Sequence, residues 1–303
     1  MRPTCSRHPG PTVAESTVAE PRLSDVLVVV PARDEAALIE SCLDSVRAAA
    51  HRLRSSRPDV RVTVVVVADR CTDGTASLAR AAGAHVVETS AGGVGAARRA
   101  GVGAGVRLLG SPDPRRTWLA STDADTVVPI TWLQRHVALA EEGAQLVLGR
   151  AVPDPAGLDP AAAVRWHQLH PVVVDDPHRY VHGANLGVRL DALTSAGGWP
   201  ALREHEDHVL VEALAARGTP ARLGPDVTTS ARREGRTPGG YAGYLRELVA
   251  QTGAAQCAPE RLRPTTPATI SASETTLTTP SGSSSTAQPT TATSAVPAPA
   301  QIA

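Results

Sequence analysis

The sequence predicts an α/β protein built on a doubly wound, mostly parallel sheet flanked by helices. Val26 to Val30 and Val62 to Val67 are unbroken aliphatic runs, the mark of strands buried on both faces. Helical patterns alternate with such runs, the order that right-handed β-α-β crossovers require. Three polar clusters, Pro31 to Glu35, Asp69 to Gly74 and Asp123 to Asp125, each follow a strand. Open parallel sheets bind ligands beyond the carboxyl ends of their strands, so three clusters on one edge describe a site.

The elements follow in order. The first strand ends at Pro31, and residues 35–50 set Leu38, Ile39, Cys42, Leu43, Val46 and Ala50 on one helical stripe. After the second strand come the turn Asp69 to Gly74 and a helix from Thr75 to Ala82. His85 to Glu88 predicts a third strand, and a Gly/Ala-rich helix covers about 94–109. Thr117 to Ser121 predicts a fourth strand, and a helix starts at Pro129, whose fixed φ suits a first turn. Beyond Arg150 the pattern is mixed. Gln145 to Val152 and Ala221 to Thr228 are expected as strands, Pro160 to Leu169 and Asp207 to Ala216 as helices. Gly218 stands where a helix C-cap glycine belongs.

Composition divides the 303 residues into three parts. Residues 1–22 show no periodicity and are expected to be a disordered extension. Of residues 258–303, 34 of 46 are Ser, Thr, Pro or Ala. That composition cannot build a core, so a disordered tail is expected. The domain is then 23–257. All 30 basic residues are Arg, and they balance 30 acidic ones. That balance gives no whole-chain reason to expect nucleic acid or an anionic membrane as partner. Cys5, Cys42, Cys71 and Cys257 form no CxxC pair, which argues against a zinc site or a disulfide scaffold. The aliphatic runs are too short to span a bilayer, and residues 1–22 lack a signal-peptide stretch. The expectation is a cytoplasmic protein, free or peripheral at the inner membrane face.

The sharpest chemical feature is Asp123-Ala124-Asp125. Two carboxylates two residues apart after a strand suit Mg²⁺ or Mn²⁺ with substrate phosphates completing the shell. Taken alone, the pair reads first as turn or cap residues. Asp69 suits a nucleobase N–H, and Asp73 a helix cap. Gly92 to Arg99 lacks the Lys-Ser/Thr of a phosphate loop, though Arg98 and Arg99 could neutralise a diphosphate. In Glu204 to His208, Asp207 suits a general base and Glu206 a group that positions an acceptor. Acidic residues complementing a helix N-terminus are the plainer alternative there. Arg232, Arg233 and Arg236 lie in a Gly/Pro-rich loop suited to phosphate contact, or are a solvated basic loop.

In order, these segments resemble the family 2 glycosyltransferases of GT-A fold. Pro31-Ala32-Arg33-Asp34-Glu35 is similar to P-x-x-N-E, with Asp34 in place of Asn. Asp69 to Thr75 is similar to D-x-S-x-D-G-T, with Cys71 in place of Ser. Gly95 to Gly101 resembles the last seven positions of G-x-x-x-A-R-N-x-G, with Arg99 in place of Asn. Asp123-Ala124-Asp125 matches DxD, Glu206-Asp207 matches the acceptor-side E-D, and His182-Gly183-Ala184-Asn185 resembles G-x-N.

The resemblance covers about residues 23–250 and implies sugar transfer from a nucleotide-diphosphate-sugar to a hydroxyl of a small molecule or glycan. It implies a nucleotide-binding half at 23–130 and an acceptor half at 131–257. It implies that Pro31, Arg33 and Glu35 line the base and ribose pocket and that Asp69 accepts from the base. Asp123 would hold the ribose or metal side, Asp125 the divalent ion, and Asp207 would deprotonate the acceptor. Asp154 to Tyr180 is the stretch expected to face the acceptor. Two rivals are weighed. A sugar-phosphate nucleotidyltransferase would open on a Gly-rich signature with Lys, which Pro31 to Glu35 lacks. A non-catalytic nucleotide-sugar binder would not need the full acidic set.

Overall fold

Strands that are aliphatic on both faces need a helical layer on each side, and the computed structural model has both. It describes residues 21–236 and 239–257. The extensions expected at 1–22 and 258–303 lie, apart from Pro21 and Arg22, outside the described residues.

The first half alternates as β1 (Asp25–Ala32), α1 (Ile39–Ser56), β2 (Arg61–Asp69), α2 (Thr75–Ala81), β3 (His85–Thr89), α3 (Val94–Leu109) and β4 (Thr117–Ser121). The second half runs β5 (Thr126–Val127), α4 (Trp132–Glu141), β6 (Leu146–Leu148), β7 (Ala151–Pro153), α5 (Pro160–Leu169), β8 (Leu186–Arg189) and α6 (Leu190–Ser195). It ends with α7 (Glu206–Ala215), β9 (Ala221–Leu223), β10 (Val227–Thr229) and α8 (Tyr241–Cys257).

Seven strands form one sheet in the order β3-β2-β1-β4-β8-β6-β9, and β5-β10-β7 form a smaller one. β1 pairs in parallel with both β2 and β4, whereas β8 runs antiparallel to β4 and β6. The chain winds outward from β1 to β3 and then returns to the other side of β1. The β1/β4 boundary is therefore the topological switch point, where a crevice opens beyond the strand ends.

Side-chain alternation sorts the core. Val26, Val28 and Val30 pack in a cluster with Ile39, Val46, Ala79 and Leu133, while Leu27 and Val29 pack with Ala97, Ala104, Leu193 and Leu210. A third, smaller cluster joins α5 to α8 through Trp166, Leu245 and Leu248. α3 lies closest to the sheet because its facing residues are small. A Cβ on Gly101 would come within 2.6 Å of Val29 and 2.9 Å of Val67.

Several boundaries differ from the sequence reading. The strand expected at Gln145 to Val152 divides into β6 and β7, because Asn185 takes over the backbone there. Its side-chain amide donates to the carbonyls of Arg150 at 3.0 Å and Pro225 at 2.7 Å, while its oxygen accepts from Trp132 Nε1 at 3.0 Å. The expected strand Ala221 to Thr228 divides at Gly224-Pro225 for the same reason. The first helix begins at Ile39 rather than residue 35, since Asp34 sits at φ 51° and the Glu35 amide donates to Thr75 Oγ1 at 2.8 Å. The helix placed at Pro129 starts at Trp132. β8, α6 and α8 are elements the pattern did not disclose. His136 is fully buried and accepts from Trp118 Nε1 at 3.2 Å. Burial pushes its pKa down to about 3, so it is a neutral core residue.

Gly101→Ala is expected to destabilise the fold by about 1–3 kcal/mol through overpacking, although Ala gains nearly 1 kcal/mol of helix propensity over Gly. Urea unfolding of the variant measures the balance, and a stabilised variant would mean that α3 can lift from the sheet without loss.

Candidate active site

A cleft of about 540 Å³ opens at the switch point. It gathers Pro31, Arg33 and Glu35 from the end of β1, Asp69 from β2, Asp123 and Asp125 after β4, and Glu206 and Asp207 from the start of α7. Arg98, Arg232 and Arg236 also line it. Arg233 does not: it faces a separate groove beside Asp154 and Thr228, so only two arginines of the expected loop trio reach the site.

Most carboxylates in the cleft have a defined partner. Asp69 accepts the backbone N–H of Gly92 at 3.0 Å and of Gly93 at 3.1 Å, which fixes the turn into α3. Asp207 accepts the N–H of Gly183 at 2.8 Å on one oxygen and that of His208 at 2.9 Å on the other. His205 precedes α7 at φ 60°, a left-handed conformation that turns the chain so that Glu206 enters the interior and Asp207 the cleft.

Arg98 joins the two acidic pairs. Its guanidinium is bonded to Glu206 and lies 2.5 Å from Asp123, and its Nε donates to Ser121 Oγ at 3.1 Å. It also sits 5.3 Å from the centre of the Trp199 ring. The residue is 2% exposed. Burial opposes its charge, but Asp123, Glu206 and Asp207 together outweigh that and hold it protonated. Gly183 makes room, because a Cβ there would meet the guanidinium at 2.5 Å. Glu206 is pushed above the usual carboxylate range, first by burial and then by Asp207, against the pull of Arg98.

On the opposite wall Arg232 binds Glu35 in bidentate fashion, at 2.8 and 2.9 Å, and Asp125 at 2.8 Å. Burial pushes the Asp125 pKa up to about 6, with Asp123 and Glu35 adding to the rise and Arg232 opposing it. Arg236 stands 3.4 Å from Glu35 and donates to the Asp34 carbonyl. The backbone brings these loops together: the Ser230 amide donates to the Asp125 carbonyl at 3.0 Å, one residue beyond the β10–β5 pair Thr229↔Thr126.

Sequence reasoning missed some residues of the wall. Arg70, Arg203 and Tyr241 line the cleft, and His182 faces Tyr241 with ring centres 6.0 Å apart. Burial lowers the His182 pKa to about 4 despite Asp207, so its ring is neutral near pH 7. Tyr241 had one available signal, since it follows Gly239-Gly240 in a chain with three tyrosines and no Phe.

The sequence profile described as Glycosyl transferase family 2 matches residues 27–193, more than half of the chain. The chain belongs to glycosyl transferase family 2. The profile ends before α7, so Glu206-Asp207 and the arginine loop lie beyond the matched part. Among solved structures, S. aureus TarS is similar at a TM-score of 0.50 with 14% identity, covering 78% of this chain and 44% of TarS. The TarS fragment 1–349 gives 0.48 and 16%, covering 75% of this chain and 65% of that fragment. Glucosyl-3-phosphoglycerate synthase from Mycobacterium tuberculosis, in complex with Mn²⁺, UDP and glucosyl-3-phosphoglycerate, gives 0.46 and 22%, covering 85% and 88%. No curated protein matches the sequence. The fold of this family 2 glycosyltransferase is GT-A, and among the described residues no helix is long and apolar enough to cross a membrane.

Arg98→Met is expected to cost about 3–5 kcal/mol, because it strands Glu206 and Asp123 without their shared cation. Denaturant unfolding tests this, and a loss below about 1 kcal/mol would show that Arg98 is not needed to hold the two acidic pairs.

Proposed function

We propose that residues 23–257 transfer a sugar, of hexose type, from a nucleotide-diphosphate-sugar to a hydroxyl acceptor with a divalent cation bound. One observation carries this reading: two carboxylate pairs, Asp123/Asp125 and Glu206/Asp207, meet in a single cleft at the β1/β4 switch point.

In this reading the nucleotide lies over β1 and β2, with Pro31, Arg33 and Glu35 beside the base and ribose. Asp69 contributes by holding the Gly92-Gly93 turn and by facing the base. Asp123 and Asp125 fit Mg²⁺ or Mn²⁺ by donor type, being hard oxygens two residues apart. The one group of three close His, Cys, Asp or Glu donors among the described residues is Asp34, Cys71 and Asp73, away from this pair. Two protein carboxylates with phosphate and water oxygens are the coordination that Mg²⁺ favours in phosphate sites. A cation held there supplies Lewis-acid neutralisation of the leaving diphosphate.

The chain's own groups do the rest. Asp207, steadied by the Gly183 amide, takes the acceptor hydroxyl proton as that oxygen attacks the anomeric carbon. The bond from sugar to diphosphate breaks, and its electron pair leaves on the phosphate oxygen. Arg232 and Arg236 meet that charge, while buried Arg98 keeps Glu206 and Asp123 in place. The acceptor enters beside His182 and Tyr241.

Asp207→Asn keeps the shape but cannot accept a proton, and turnover is expected to fall about 10²–10⁴-fold. Nucleoside-diphosphate affinity should hardly change. Turnover within a few-fold of the parent, with an earlier melting point, would return Asp207 to a helix N-terminal charge.

The metal makes a second test. A nucleoside diphosphate from a UDP, GDP and ADP panel is expected to bind much better with Mn²⁺ than with EDTA, and Asp125→Ala should erase the difference. Equal affinity in EDTA for the unmodified chain would refute the DxD assignment.

A further inference from the structure

We infer that Arg232 is a built-in competitor for the divalent cation, occupying Asp125 until a diphosphate draws it off, so that metal binding depends on donor binding. The inference rests on reading Asp123 and Asp125 as the metal-holding pair.

The two carboxylates of that pair are neutralised in different ways. Asp123 is held by Arg98, whose side chain is 3% exposed and fixed by Glu206, Ser121 and Trp199. That cation has nowhere to go. Asp125 has Arg232 as its ion-pair partner among the described residues, and the Arg232 side chain is 32% exposed against 11% for Asp125. Buried carboxylate and accessible guanidinium make this the exchangeable pair.

Neighbouring contacts favour the exchange. Arg232 also grips Glu35, but Arg236 stands beside Glu35 at 3.4 Å and retains it when Arg232 leaves. The backbone two residues before Arg232 is clamped to Asp125 through Ser230, so the side chain stays within reach of the cleft after release. A guanidinium binds phosphate in the same bidentate geometry as carboxylate, so moving from Glu35 and Asp125 to a diphosphate trades like for like. Asp125 is then bare beside the new anion, and a divalent cation restores the balance. Without the diphosphate, a metal must displace an ion pair already made. The device gives order: donor phosphates and metal arrive together, and free metal alone binds weakly.

Electron paramagnetic resonance of free Mn²⁺, with Mn²⁺ alone as probe, tests this on the full chain, on Arg232→Gln and on Arg232→Gln combined with Asp125→Asn. Arg232→Gln is expected to bind one Mn²⁺ at least about tenfold tighter than the unmodified chain, since the competing charged contact is gone. Adding Asp125→Asn should abolish that gain. Mn²⁺ should also raise the melting temperature of Arg232→Gln more than that of the parent. Should Arg232→Gln fail to fold, Arg232→Lys serves, because one ammonium cannot bridge both carboxylates and intermediate Mn²⁺ affinity is expected. Equal Mn²⁺ affinity with and without Arg232, weakened in both by Asp125→Asn, overturns the competitor and leaves the metal pair standing. Absence of any Asp125-dependent Mn²⁺ binding, even with UDP, GDP or ADP added, overturns the metal pair itself.

Discussion

One buried guanidinium holds the site together. Arg98 ties α3 to the end of β4 and to the start of α7, and an arginine this deep is stable only because its partners outweigh the loss of water. Its surroundings are shaped to that demand. Gly183 is bare where a side chain would strike it, and Trp199 lies against it. Gly95 lets the first turn of α3 bond to the Leu202 carbonyl at 3.1 Å, on the segment that leads into α7. Glu206 owes its place to a residue on a helix that precedes it by 108 positions.

The cleft concentrates Glu35, Asp69, Asp123, Asp125, Glu206 and Asp207, a crowd that would repel itself without partners. The fold handles these six in three ways. Backbone amides serve Asp69 and Asp207, which leaves their charge uncancelled. A rigid, buried guanidinium serves Asp123 and Glu206. Accessible loop guanidiniums serve Glu35 and Asp125. The exposure of the counter-charge thus rises from the start of α7, where Arg98 is buried, toward the loop that carries Arg232.

Much of this was legible in the sequence because it is local. Val26 to Val30 and Val62 to Val67 announce strands by themselves, and polar residues just past them mark the edge where ligands bind. The residues of the cleft could therefore be named, down to Asp125 and Asp207. Their pairings could not, because Glu35 meets Arg232 across 197 positions and only the folded sheet brings them together. Arg233 shows the same limit: it follows Arg232 directly, yet it lines only the groove beside Asp154 and Thr228, while Arg232 also reaches the cleft. Asn185 was noticed as part of a motif, but its hold on the Arg150 and Pro225 carbonyls depends on β8 running against β6. α8 escaped notice because its apolar residues form no strong stripe of their own, and the partners they meet, Trp166, Leu158 and Ala231, come from separate segments.

The small sheet β5-β10-β7 has a consequence for how the protein is made. Its central strand is the last strand among the described residues, and it sets Thr229 beside Asp125, 104 positions earlier. During synthesis the ribosome releases β1 to β4 first, so Glu35 and Asp125 are in place before Arg232 and Arg236, which pair with them, have been translated. A nascent chain that stops short of Val227 carries bare carboxylates at Glu35 and Asp125. Closure over the cleft is a long-range event and comes late. Until β10 docks, that corner of the half-made fold is an anionic cup whose counter-charges are still to come.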